Sequence, residues 1–367
     1  MVPGTATDTD MIRLAWPDLG EEELAAVAAV LESGQLTMGP RVEEFEAALA
    51  SACEVEHAVV VSSGTAALHL SVLALGIGPG DEVIVPAYTF PATANVVALA
   101  GAKPVLVDVD PETMNTTAEA VAGALTERTR AVLVVHLFGR PAPWDELEAA
   151  VPAGVALLED AAGALGARRQ GRACGGLGRL GCLSFHPRKI VTTGEGGAVT
   201  TNDAAVADSV RRFRHHGIEP HGDFEIRAPG LNYRLPDVLC ALGTPQMRRL
   251  ERLLAERERL AAGFAERLEG IVGLPSADEG DRHGWQAYVV RVDRRDDALA
   301  GLREAEIQAQ IGTYALHRLA AYADQGPFPG ADAAFERALA LPFHNRLSDD
   351  DQDRVAEVLA AHAGRSN

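Results

Sequence analysis

Lysine is nearly missing from this chain. Of its 33 basic residues only Lys103 and Lys189 are lysine and all the rest are arginine, in a protein of 367 residues with 52 acidic side chains and a net charge of −19. So acidic a balance excludes a broad nucleic-acid surface, which needs a basic stripe to neutralise phosphates. Any anionic ligand has to be met by local devices, such as helix N-termini and single arginines. Cysteine is scarce too: Cys53, Cys174, Cys182 and Cys240 are scattered without a C-x-x-C pair, and no histidines cluster at metal-ligand spacing. That pattern excludes a disulfide framework or a zinc ribbon, and no metal is expected. Reduced thiols point to the cytoplasm, as does an N-terminus without a basic region followed by an apolar stretch. The long uncharged run Ala58–Gly80 is broken by "SSGT", His69 and "GPG". It therefore reads as a buried strand, a turn and a buried helix, and no membrane partner is expected. No G-x-x-x-x-G-K-[ST] occurs, which removes a P-loop.

What is present is an alternation. The runs "HAVVVS", "EVIVP", "PVLVDVD", "RAVLVVHLFG" and "GVALLED" read as strands, with helical stretches such as "TAALHLSVLAL" and "PATANVVALAG" between them. Continuous apolar strands separated by helices imply an α/β fold with a mostly parallel sheet covered on both faces, and such sheets bind ligands at the carboxyl ends of their strands. From about Pro236 the texture becomes helical and charge-laced, then mixed. We therefore expect a large domain over 1–245, N-terminal arm included, and a smaller C-terminal α/β domain over 246–367.

Three features carry chemistry. Lysine, unlike arginine, can lose its proton, attack a carbonyl and form a Schiff base, so Lys189 in "SFHPRKIVTTGEGG" stands out in a chain that otherwise writes positive charge as arginine. Asp160 ends the apolar run "GVALLED", where it either caps the following helix or holds a proton on a ligand nitrogen. In "VVVSSGTAALHL" a strand gives way at once to a helix at Ser62-Ser63-Gly64-Thr65, a set of hydroxyls and N–H groups suited to capping or to a phosphate. The run "GLGRLG", Gly176–Gly181, matches G-x-G-x-x-G but lacks the preceding strand and following helix that dinucleotide binding requires. Lysine amine, carboxylate and anion cup converge on pyridoxal 5′-phosphate, whose chemistry needs each of them.

Nearly end to end, the sequence resembles the DegT/DnrJ/EryC1/StrS family of aminotransferases. The likeness is carried by "LTMGPRVEEFEAALA", "VVSSGTAALHLSVLALGIGPGDEVIVPAYTFPATAN", "LLEDAAGALGA", "SFHPRKIVTTGEGGAVTTND", "GLNYRLPD" and "ALALPFHNRLS". The resemblance implies the fold-type-I architecture of pyridoxal-phosphate transferases and a two-step transamination. An amino donor, glutamate or glutamine, converts the cofactor to pyridoxamine 5′-phosphate, and the amine then passes to a ketone of a nucleotide-linked keto-sugar or a cyclitol. It implies Lys189 as the Schiff-base lysine and Asp160 as the partner of the pyridine nitrogen. Gly64, Thr65 and Ser184 form the phosphate cup, and Phe90 stacks on the ring. Asn232 reaches the phosphate site of the neighbouring subunit, so a homodimer with shared sites is expected.

Tyr314, His317 and Tyr322 in "TYALHRLAAY" are similar to the family's sugar-facing segment, although ordinary packing would also account for them. His186 is a further candidate substrate contact; like His136 and the pair His215-His216, it stands where a histidine is ordinarily structural. Relatives often carry Gln after "EDAA", its amide bonding the cofactor's phenolic oxygen, and here that position is Gly163. A water, another side chain or a site tuned to another substrate would account for the change. Two alternatives have less support: the sugar-dehydratase branch, in which the lysine is replaced by histidine, and a non-catalytic regulatory relative, for which no basic surface exists.

Overall fold

The computed structural model describes residues 11–221 and 224–362. The apolar runs form β1 (His57–Val61), β2 (Glu82–Pro86), β3 (Lys103–Val107), β4 (Thr129–Val135), β5 (Ala156–Asp160), β6 (Leu180–Ser184) and β7 (Gly197–Thr201). They build one seven-stranded sheet of order β1-β7-β6-β5-β4-β2-β3. β2 pairs parallel with β3 and β4, β4 with β5, and β5 with β6, whereas β7 runs antiparallel to both β1 and β6. The mostly parallel sheet expected from the alternation of strands and helices is therefore present, with one antiparallel strand that the sequence pattern did not separate. "GAVTT" is short, follows the Lys189 loop directly and carries two threonines inside the core. Their hydroxyls are satisfied, Thr200 by the carbonyls of Gly175 and Gly181 and Thr201 by that of Arg179.

A second, antiparallel sheet of order β8-β10-β9 comes from the C-terminal third: β8 (Tyr288–Arg291), β9 (Gln310–Ile311) and β10 (Ala338–Leu341). The helix Leu250–Leu268 joins the two regions. Its Leu250, Leu253 and Leu254 pack with Phe45 and Phe185, while its Leu260, Phe264 and Leu268 pack with Tyr288, Leu339 and Val355. The position expected for a domain boundary, 245/246, lies inside the helix Asp237–Arg248 at Pro245. Ile12 bridges to Ile307 and belongs to the C-terminal core, so the beginning of the described chain crosses to the second sheet. Tyr88–Thr89 pairs with Tyr314–Ala315, which ties the C-terminal third to the carboxyl edge of the large sheet. The four cysteines are buried and unpaired. Among the described residues no helix is long and apolar enough to cross a membrane.

One buried carboxylate organises that edge. Glu159, wholly buried at the end of β5, accepts from the backbone N–H of Gly175 at 2.6 Å and from those of Leu177 and Gly178 at 2.8 Å each. It also lies 3.0 Å from His136 Nε2. Because His136 Nδ1 accepts from the N–H of Ala142 at 2.9 Å, the ring proton sits on Nε2 and is donated to Glu159. The glycine run that formally matched a phosphate-binding pattern is thus a nest for an internal anion. Its glycines supply room: a Cβ at Gly176 would lie 2.1 Å from the Cys53 carbonyl oxygen, and one at Gly178 2.7 Å from that of Leu157. Glu159→Gln puts an amide NH2 where only donors converge. We expect it to lower stability by about 2–4 kcal/mol, seen as earlier unfolding in urea; an unchanged midpoint would show that other contacts hold the loop.

Candidate active site

At the carboxyl ends of β5 and β6 the chain encloses a cavity of about 480 Å³, within the range of ligand pockets. Lys189, Asp160, Gly64, Thr65 and Ser184 line it, and so do Phe90 and His186. Seven residues picked out from separate stretches of sequence therefore meet at one place. Asn232 does not line it: it is exposed, and its Oδ1 accepts from Arg234 Nε at 2.9 Å. Nor do the three candidates of the C-terminal segment. Tyr314 sets its ring edge-on against Phe90 at the cavity lip, 6.3 Å between centroids. His317 pairs with Asp332 at 3.1 Å, and Tyr322 donates to Asn95 Oδ1 at 2.6 Å.

The anion-binding corner follows from a helix start. Ser63 caps the helix Gly64–Ala74, its hydroxyl oxygen accepting from the N–H of Ala66 at 3.0 Å. The N–H groups of Gly64 and Thr65 precede the first intrahelical bond and remain as donors. Close approach to β6 demands the glycine, since a Cβ at Gly64 would lie 2.8 Å from the Ser184 Cβ. The two elements are thereby pinched together, with the Ser184 hydroxyl beside the helix N-terminus.

Asp160 faces the opposite side of β5 from Glu159, as successive strand residues must. Its Oδ2 accepts from the Thr93 hydroxyl at 2.8 Å and its Oδ1 from the N–H of Ala162 at 3.2 Å. Burial raises its pKa; these two hydrogen bonds and the nearby Lys189 ammonium work against that rise. Lys189 shows the converse effect. Burial, with a smaller push from the Arg188 guanidinium, lowers its pKa to about 8, although the Asp160 carboxylate holds it up. The loop that presents it is clamped from the helix Asp237–Arg248, where the buried amide of Gln246 accepts from the Thr192 N–H at 2.9 Å and donates to the Thr192 carbonyl at 2.7 Å. Neither Thr93 nor Gln246 was marked by sequence reasoning. Each shares its helix with other polar residues, Asn95 beside Thr93 and Thr244 beside Gln246, so composition alone did not single it out.

A readily deprotonated amine, a buried carboxylate and a helix-end anion site on one cavity can hold an aldehyde cofactor that carries a phosphate. Against this geometry the comparisons with known proteins are specific. The model of the DegT/DnrJ/EryC1/StrS aminotransferase family matches residues 17–360. The chain belongs to that family. The aminotransferase TlmJ from Streptoalloteichus hindustanus is 38% identical, with 96% of this chain and 98% of that one covered and a TM-score of 0.91. DesV of S. venezuelae, solved with a ketimine intermediate, is 36% identical over 94% of this chain and 95% of its own, with a TM-score of 0.89. Helicobacter pylori PseC, an aminotransferase involved in the biosynthesis of pseudoaminic acid, is 26% identical over 96% and 98%, with a TM-score of 0.88. Like other members of the DegT/DnrJ/EryC1/StrS family this chain is an aminotransferase, with the mostly parallel α/β fold of those structures.

The family enzyme has an unusually clean assay for its amine. With Lys103→Arg as background Lys189 is the one lysine left, and Lys103 is an exposed residue 3.7 Å from Glu82. We expect modification of Lys189 in the apoprotein by an amine-directed reagent to speed up about tenfold per pH unit and to level off above pH 8. Asp160→Asn removes the charge that holds the proton on, so the midpoint should move down. A midpoint at the ordinary lysine value would show that burial does not tune the amine.

Proposed function

We propose that this aminotransferase transfers an amino group from glutamate or glutamine to the ketone of a nucleotide-linked keto-sugar or a cyclitol, with pyridoxal 5′-phosphate as its cofactor and pyridoxamine 5′-phosphate as the form between the half-reactions. The observation that carries the reading is the sharing of one cavity by the lowered-pKa amine of Lys189 and the buried carboxylate of Asp160. Further support comes from the pneumococcal protein Spr1654, 28–29% identical and solved in PLP and PMP forms, and from the ketimine complex of DesV. When bound, the cofactor supplies a carbonyl carbon for amines and an electron-poor ring that spreads carbanionic charge.

This chain's own residues do the rest. Lys189 Nζ, with a pKa lowered to about 8 and so readily freed of its proton, holds the cofactor and then accepts and returns the proton that moves between substrate and cofactor carbons. Asp160 keeps a proton on the ring nitrogen, and the cation so formed offsets the burial of its own carboxylate. The phosphate is met by the N–H groups of Gly64 and Thr65 and the Ser184 hydroxyl, neutral donors at a helix N-terminus in a strongly acidic protein. Phe90, 61% exposed at the cavity lip, is free to cover the ring face. Asn232 serves the phosphate site of a second subunit, which accounts for a polar side chain exposed outside its own cavity.

Purified protein should aminate one member of a panel of keto-sugar nucleotides and keto-cyclitols, and Lys189→Arg should be colourless and inactive. Transamination by Lys189→Arg would remove the central role given to the amine. For the shared site, Asn232→Ala subunits mixed with Lys189→Ala subunits should regain part of the activity, because one site of each mixed dimer receives neither defect. No gain after proven subunit exchange would place each site within a single chain.

A further inference from the structure

Gln286 is held in the cavity by more structure than packing requires. Its backbone N–H donates to the Phe138 carbonyl at 3.1 Å. Its own carbonyl and that of Trp285 accept from Arg257 Nη1 at 3.0 and 2.7 Å. Arg257 is buried, its guanidinium 5.6 Å from the Phe343 ring centroid, has no carboxylate within ion-pair distance among the described residues, and gives both of these bonds from Nη1. Trp285 sits at φ +47° and Phe138 at φ +58°, in the left-handed region that bulky residues rarely adopt. Gly139 packs beneath them, where a Cβ would come within 2.8 Å of the Trp285 nitrogen. His283 stacks on Trp285 at 3.9 Å. The product of this knot is one amide laid over Gly163: a Cβ at 163 would lie 3.3 Å from Gln286 Oε1. That amide lines the cavity, and the one bond its NH2 makes, to the Arg188 carbonyl at 3.4 Å, is at the outer limit of hydrogen bonding.

The connectivity of the cofactor says what such an amide meets. In pyridoxal phosphate the ring nitrogen is opposite the carbonyl-bearing carbon, and the phosphate arm and phenolic oxygen flank that carbon on either side. With the nitrogen at Asp160, the carbon at Lys189 and the phosphate at Gly64, Thr65 and Ser184, the phosphate edge faces the ends of β1 and β6. In the sheet order β1-β7-β6-β5-β4 the phenolic edge then faces the connections after β5 and β4, where Gly163, Gly139 and Gln286 lie. We propose that Gln286 is the cofactor contact at the phenolic oxygen, its amide donating from the C-terminal part of the chain across the space that the missing side chain at 163 leaves. The inference rests on the cofactor reading above.

The experiment titrates apoprotein with pyridoxal 5′-phosphate and follows the visible band of the loaded protein against pH. Gln286→Met keeps the packing on Gly163 and removes only the polar head. We expect it to raise the cofactor Kd about five- to tenfold. An oxygen that loses its donor holds a shared proton more tightly, so the pH midpoint of the band should also move up, by about half a unit or more. Gly163→Gln/Gln286→Ala should bring both values back towards wild type, because the new amide enters the space just vacated. Wild-type Kd and midpoint in Gln286→Met, or no recovery in the double variant, would overturn the inference while leaving the cofactor reading intact. A wild-type protein that takes up no cofactor would overturn both.

Discussion

The carboxylate of Glu159 fixes the edge on which the site is built. An ionised carboxylate without an arginine or lysine partner is costly to bury, and here three backbone N–H groups and His136 offset that cost. Those four bonds tie the ends of β4 and β5 and the turn before β6 to one point. Strand geometry then sends the next residue to the opposite face. Two adjacent carboxylates thus have opposite fates: Glu159 is saturated with donors, and Asp160 keeps only Thr93 and Ala162. The carboxylate with fewer donors is the one that faces the cavity, and burial raises its pKa against the pull of those two hydrogen bonds.

Burial shifts Lys189 in the converse direction. Removing an ammonium from water lowers its pKa unless a carboxylate compensates, and Asp160 compensates only in part. The cavity therefore holds a base short of a proton and an acid short of partners, a pair kept apart in purpose by their surroundings. Precise placement comes from groups that carry no charge. Gln246 clamps the Lys189 loop through both backbone groups of Thr192, and Thr93 reaches Asp160 from the helix Ala92–Leu99. The strained backbone is local as well, since Phe138, Gly139 and Trp285 meet where the C-terminal third touches the edge of the large sheet.

Which parts of this could be read in the sequence follows from how each residue acts. Lys189, Asp160 and the Gly64-Thr65 corner were readable because the chemistry admits few residue types there, and their strand-end positions follow from local pattern. β7 was not, because five residues with two buried threonines carry no period that separates them from the preceding loop. Glu159 escaped notice for a different reason. Its partners are backbone N–H groups, which every residue offers, and only the fold decides that those of Gly175, Leu177 and Gly178 converge. The glycine run was read correctly as unfit for a dinucleotide, yet its anion is internal and invisible without the fold. In "TYALHRLAAY" the side chains have the chemistry of substrate contacts, but His317 and Tyr322 are engaged by Asp332 and Asn95. Local sequence cannot tell a ring that faces a cavity from one that is packed.

The choice between arginine and lysine ties these threads together. Arginine's charge does not titrate near neutrality, so it suits permanent pairings. Arg169, nearly buried, spans Asp145, Glu146, Asp278 and Asp281, and Arg214 joins Glu46 to the carbonyl of Val60. Such a cation in place of Lys189 would keep its proton at any pH at which the fold survives. Burial could then only penalise it, with no free base gained in return. For an ammonium the same burial yields a neutral nucleophile at a pH the protein tolerates. The anion of this cavity is left to helix N–H groups and hydroxyls, and the guanidinium on its lining, Arg188, donates to Gln310 Oε1 at 2.8 Å. An arginine-rich, lysine-poor composition is therefore compatible with amine chemistry so long as one lysine is placed where water is scarce.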